Sequence, residues 1–124
     1  MIVGTGIDIV RLDRLQRTFD RFGRRFLAHF LSAAEIRALP DPPAIAHLGG
    51  RFAAKEAAVK ALGTGFQLGI TPQMVEVFNS AHGKPTLTFR AAALERANAL
   101  GAARFFVSIS HERDYVVAMV ILES

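Results

Sequence analysis

Apolar residues recur along this chain with two periods, and the places where one period gives way to the other outline its elements. From Ile2 to Val10 the β-branched residues Ile2, Val3, Ile7, Ile9 and Val10, interrupted by Gly4 and Gly6, read as a strand. Leu12, Leu15, Phe19, Phe22 and Phe26 then follow at helical spacing and share one narrow arc of a wheel at about 100° per residue. Gly23 is expected to break or bend this helix, with Arg24 to Phe30 forming a second helical stretch. Ser32 and Glu35 have the spacing of a capping box that opens a short helix to Leu39. Asp41 reads as an N-cap with Pro42 at the first position of a long helix, which runs to Leu62 and stops at Gly63. Beyond a glycine-rich loop from Gly63 to Gly69, the segments Met74 to Phe78 and Thr86 to Phe89 alternate like strands. Arg90 to Leu100 is an alanine-rich helix ending at Gly101, and Arg104 to Ser110 with Asp114 to Leu122 form a hairpin. This order predicts an α+β fold with a largely antiparallel sheet packed against one long central helix, in a single domain over residues 1–124.

Composition narrows the class. The chain has 124 residues, 51% hydrophobic and 21% charged, which is enough apolar surface for a core without disulfides or metals to staple it. Cysteine is absent, so a disulfide framework, a thiolate metal site and a cysteine nucleophile are excluded. The longest strictly apolar run, Tyr115 to Leu122, is too short to span a bilayer. The N-terminal stretch lacks a basic leader and carries Asp8 among its apolar residues, unlike a secretory signal. The expectation is a small cytoplasmic globule with no membrane contact.

Charge is concentrated rather than spread. Lys plus Arg number 15 and Asp plus Glu 11, a net +4, and the segment Arg11 to Arg25 alone carries six arginines against Asp13 and Asp20. All six, Arg11, Arg14, Arg17, Arg21, Arg24 and Arg25, fall in an arc of the helix neighbouring the apolar one. A local field of arginine, whose planar fork suits carboxylates and phosphates, implies a local acidic partner. A nucleic acid, an anionic membrane surface or an acidic protein would each satisfy it, and a merely solvated face is the bland alternative.

Three clusters carry candidate chemistry. Asp8 stands inside a strand, where aspartate is depleted. Glu56 and Lys60 are one helical turn apart, an ordinary surface pair by spacing alone, yet they lie on the side of the helix that also carries Phe52 and Val59. If Asp8 and Glu56 meet in space, two hard oxygen ligands describe a Mg²⁺ site with positions left for water and phosphate, and Lys60 beside them can neutralise a phosphate. Ser108 and Ser110 precede His111, but that spacing is poor geometry for a nucleophile and its base, and no G-x-S-x-G elbow is present. His29, His47 and His82 are scattered without metal spacing.

Gly6-Ile7-Asp8-Ile9-Val10, Arg51-Phe52-Ala53-Ala54-Lys55-Glu56-Ala57 with Lys60 and Gly63, the turn Asn79…Gly83-Lys84-Pro85, and Ser108-Ile109-Ser110-His111 together resemble the holo-[acyl-carrier-protein] synthases, small bacterial members of the 4′-phosphopantetheinyl transferases. The resemblance covers essentially the whole chain. It implies Mg²⁺-dependent transfer of the 4′-phosphopantetheine arm of coenzyme A to a serine of apo acyl carrier protein in fatty-acid synthesis, with release of adenosine 3′,5′-bisphosphate. By motif position Asp8 and Glu56 would hold Mg²⁺, one of them would help deprotonate the serine, and Lys60 would neutralise the departing phosphate. Arg51, Lys55, Lys60, Asn79, Lys84 and His111 would line coenzyme A, with Gly63 and Pro85 as backbone approaches. The arginine helix would dock the acidic carrier protein, and a homotrimer would form with its sites between subunits. Gly49 departs from the alanine usual in the family, and Arg11 from an acid. Two other functions are weighed against this one: a Mg²⁺-dependent nucleotide or pyrophosphate hydrolase, which needs no protein acceptor, and a basic-helix nucleic-acid-binding module, for which no recognised motif is present.

Overall fold

A computed structural model describes residues 1–124. The chain runs β1 (Ile2–Arg11), α1 (Leu12–Phe22), α2 (Arg24–Phe30), α3 (Ala33–Arg37), α4 (Ile45–Leu62), a 3₁₀ turn at Pro72–Met74, β2 (Val75–Asn79), β3 (Pro85–Phe89), α5 (Ala91–Ala99), β4 (Arg104–His111) and β5 (Tyr115–Glu123). All strand pairs are antiparallel. β1, β5 and β4 form one sheet in that order, and β2 with β3 forms a separate hairpin whose β3 lies beside β4.

The longest helix, α4, lies across β1 and β5, and its sequence explains how close it comes. Its inward side is almost all alanine: Ala53, Ala54, Ala57, Ala58 and Ala61 are buried. The residues of β1 that face it are Gly4 and Gly6. A Cβ at Gly6 would stand 1.9 Å from the Ala57 carbonyl oxygen, and one at Gly4 would stand 2.3 Å from that of Ala61. Strand and helix therefore touch main chain to main chain, which only glycine permits. Around this seam Val59, Leu62, Val116, Ala118, Val120 and Leu122 join Val75, Val77, Leu87 and Phe89 in the main core. A smaller cluster of Leu15, Leu27, Phe30, Leu31 and Leu48 fastens α1 and α2 to the other side of α4. Each such leucine contributes roughly 1.5–3 kcal/mol by leaving water. Gly49 has its own reason: a Cβ there would meet Leu12 Cδ2 at 2.6 Å, at the point where α1 begins.

Two expectations need correction. The long helix begins at Ile45 with Ala44 as its cap, not at Pro42 behind an Asp41 cap. Asp41 and Pro42 both precede a proline, which disfavours the helical region at each. Phe22, expected in the apolar arc, is 53% exposed, because the chain turns at Gly23 (φ 63°) immediately after it. The capping box is present: the Ser32 hydroxyl accepts from the Glu35 amide at 3.2 Å, and the Glu35 carboxylate accepts from the Ser32 amide at 2.9 Å.

Candidate active site

Strand alternation sends Gly4, Gly6 and Asp8 toward α4, and the closeness of the seam delivers Asp8 to the α4 side chains just beyond it. Lys60 Nζ donates to Asp8 Oδ1 at 3.1 Å and to the Ile7 carbonyl at 2.9 Å. Its third N–H is without a protein acceptor on a half-exposed side chain. Glu56, one turn earlier, joins Asp8 in lining a cavity of about 430 Å³ together with Arg14, Thr18, Phe26 and Phe52. Burial raises the Glu56 pKa above the ordinary carboxylate value, the charge of Asp8 raises it further, and Lys60 opposes both. A carboxylate so placed is a better base than a free one.

The same two carboxylates fit a divalent cation. They offer hard oxygens, their mutual repulsion would be relieved by a positive ion, and no third acid or histidine completes a protein cage. Mg²⁺ characteristically takes one or two carboxylates and fills its other positions with water and substrate phosphate.

Around α4 from this pair opens a second cavity, of about 450 Å³, lined by His47, Arg51, Asn79, Gly83, Pro85 and His111 among others. Arg51 is only 7% exposed; its guanidinium is unpaired within the chain, and its donors reach the solvent of this cavity. Burial lowers its pKa, and Glu35 opposes that from across a neighbouring cavity. A buried arginine left with free donors facing a cavity is arranged for an anion from outside. The two cavities share no lining residue. His111 lies at the end of β4, so alternation puts it on the opposite face from Ser110, which leaves no serine–histidine pair.

The other anticipated residues have varied settings. Lys55, expected on the coenzyme A phosphates, is 1% exposed and all three of its N–H donors are taken. Nζ pairs with Glu35 Oε1 at 2.7 Å and donates to the Pro72 carbonyl at 2.9 Å and to the Val75 carbonyl. Burial lowers its pKa and the Glu35 carboxylate opposes that shift. Lys55 therefore fastens α4 to α3 and β2, and no donor is left for a ligand. Gly63 is the left-handed cap of α4 (φ 76°), with Arg96 Nε on the adjacent Leu62 carbonyl at 2.9 Å. Lys84 is exposed on the β2–β3 turn. On the arginine face Arg17 stands 3.6 Å from Asp13, which also binds Arg11 at 3.0 Å, while Arg14, Arg21, Arg24 and Arg25 have no carboxylate partner.

Two further residues stand at these cavities. His47, without metal spacing in the sequence, is one helical turn before Arg51 and lines the same cavity. Glu35 was legible only as a capping residue; its second oxygen accepts the Val77 amide at 3.0 Å, a contact 42 residues distant in sequence.

A family model described as the 4′-phosphopantetheinyl transferase superfamily matches residues 4–120. The chain is 53% identical over 123 residues to the holo-[acyl-carrier-protein] synthase of Solidesulfovibrio magneticus, covering 99% of each. Its fold superposes on the crystal structure of the holo-[acyl-carrier-protein] synthase from Neisseria meningitidis with a TM-score of 0.89 at 36% identity, over 100% of both chains. The Helicobacter pylori holo-[acyl-carrier-protein] synthase, solved in complex with coenzyme A, gives 0.83 at 29% identity, over 96% of this chain and 99% of that one.

Proposed function

The chain belongs to the 4′-phosphopantetheinyl transferase superfamily, and on that premise we propose that it transfers the 4′-phosphopantetheine group of coenzyme A to a serine hydroxyl of apo acyl carrier protein. The serine oxygen bonds to the pantetheine-side phosphorus, the bond to the bridging pyrophosphate oxygen breaks, and adenosine 3′,5′-bisphosphate leaves. Arg51 carries this reading: a mostly buried arginine whose guanidinium is unpaired within the chain and opens to a cavity beside His111, Asn79 and Pro85 suits a polyphosphate. Asp8 and Glu56 would hold Mg²⁺, which when bound neutralises phosphate charge. One of these two carboxylates accepts the serine proton, directly or through a water. The free N–H of Lys60 faces the departing phosphate.

Two surfaces extend the reading. Arg14 borders the Asp8–Glu56 cavity and lies on the same helix as Arg21, so an acidic carrier protein docked on α1 would bring its serine to the carboxylates. The outer face of the β1–β5–β4 sheet leaves Ile7 60%, Ile9 62%, Phe106 47% and Met119 43% exposed, an apolar face suited to a second copy of the chain. A homotrimer built on that face would set the Arg51 cavity of one subunit against the carboxylates of the next, which accounts for the two cavities being separate within one chain. The same reading places the reaction in the cytoplasm and in fatty-acid synthesis.

The test is mass spectrometry of apo acyl carrier protein after incubation with the enzyme, coenzyme A and Mg²⁺. A gain of about 340 Da, the covalent mass of one phosphopantetheine, that EDTA abolishes is expected. Cleavage of coenzyme A without that gain would assign a hydrolase instead, and neither change would leave only binding by the basic helix.

A further inference from the structure

His47 lies in the first turn of α4, one turn before Arg51, so their side chains are neighbours on one helix face. Both border the cavity of about 450 Å³, and both also border the smaller one of about 160 Å³ behind it. His47 is half-buried, and neither its ring nor the Arg51 guanidinium has a hydrogen bond or ion pair within the chain; no nitrogen of either is sealed from solvent, so both open to the cavities. The helix start adds to the same field: Ala44 caps α4 without a side-chain acceptor, and Ala44 and Ala46 line the larger cavity, so the positive end of an 18-residue helix opens there.

We propose that His47 is a further ligand for the phosphates of coenzyme A, standing beside Arg51 on one wall of the cavity and carrying a proton while the anion is bound. This rests on the transferase reading above.

The charges around it make the coupling one-directional. From its own helix His47 faces Arg51; from β4, His111; from α3, Glu35 across the smaller cavity; and from β2 the neutral Asn79. His82 and Lys84 lie further out on the β2–β3 turn. In the free protein burial lowers the His47 pKa below its ordinary 6.5, and the positive charge of Arg51 lowers it further. A phosphate between the two side chains opposes the Arg51 effect and favours the imidazolium. Binding therefore takes up a proton, and by linkage the affinity for coenzyme A must rise as pH falls from the bound-state pKa toward the free one.

Calorimetric titration of coenzyme A into the full-length protein in EDTA, without carrier protein, tests this. Runs in two buffers of different ionisation enthalpy count the protons exchanged. The wild type is expected to take up part of a proton near pH 6.5 that His47→Phe and His47→Gln do not. The variants should bind about 10-fold more weakly at pH 6 and more nearly equally at pH 8. Coenzyme A itself loses phosphate charge as pH falls, but equally for each protein, so the ratio of dissociation constants isolates His47. Equal affinity and equal proton uptake in wild type and His47→Gln would overturn the proposal, as would uptake that persists in His47→Gln and disappears in His111→Gln. Failure of every form, wild type included, to bind coenzyme A would overturn the transferase reading instead.

Discussion

At Glu56, burial and the neighbouring Asp8 charge both disfavour ionisation, so the folded-state pKa lies above the ordinary 4.5. A carboxyl group with a raised pKa contributes stability that is present below the unfolded value and lost as pH rises through the folded one. At neutral pH without metal the fold therefore holds this charge at a cost. Glu56→Gln should melt higher than the wild type at pH 7 in EDTA, with the gap narrowing as the pH approaches 4.5, while kcat falls by about 10²–10⁴-fold. Mg²⁺ should raise the melting temperature of the wild type by mass action and not that of the variant. Lys55, one residue away, predicts the opposite pattern. Lys55→Met leaves Glu35 buried without its counter-ion and should cost about 3–5 kcal/mol in urea unfolding, while the KM for coenzyme A of the folded fraction stays unchanged. The sequence offered no way to separate these neighbours. Adjacent residues point about 100° apart on a helix, and what waits for Lys55 there, Glu35 and two carbonyls, comes from segments 17 and 20 residues away. Asp8 and Glu56, by contrast, were legible because each residue type is out of place in its local pattern.

Among the elements, α1 shows how a charge stripe differs from its residue count. Asp13 neutralises part of the field of Arg11 and Arg17, whereas Arg14 and Arg21 are unopposed by carboxylates. Reversing Arg14 or Arg21 to Glu should raise the KM for carrier protein several-fold, more at low ionic strength, and leave that for coenzyme A nearly unchanged. Arg17→Glu should do less. Steady-state kinetics with each substrate varied across salt would check the order. Most boundaries were readable where a single residue dictates them: Gly23 and Gly63 stop helices by positive φ, and Ser32 with Glu35 starts one. At the start of α4, Asp before Pro imitates a cap, and the second proline, which acts on the residues before it, decides the matter.

For the whole molecule, the separation of the Arg51 and Glu56 cavities makes a composite site testable. Arg51→Ala and Glu56→Gln should each be nearly inactive alone. When their subunits are mixed and allowed to exchange, activity should reappear, because some interfaces then join an intact Arg51 to an intact Glu56. No recovery on mixing would place both cavities' work within one chain. The antiparallel α+β arrangement was visible from periodicity, but not its division into a three-stranded sheet and a hairpin, since pairing partners are decided by contacts distant in sequence. The seam of Gly4 and Gly6 against Ala57 and Ala61 has a consequence of another kind. It acts as a hard stop rather than a spring: the spacing of Asp8 from Glu56 is fixed by main chains that cannot interpenetrate, not by the fit of side chains. Substitutions such as Leu122→Val or Val120→Ala should shift the melting temperature while metal affinity stands still, and Gly6→Ala, which wedges the seam open, should move both.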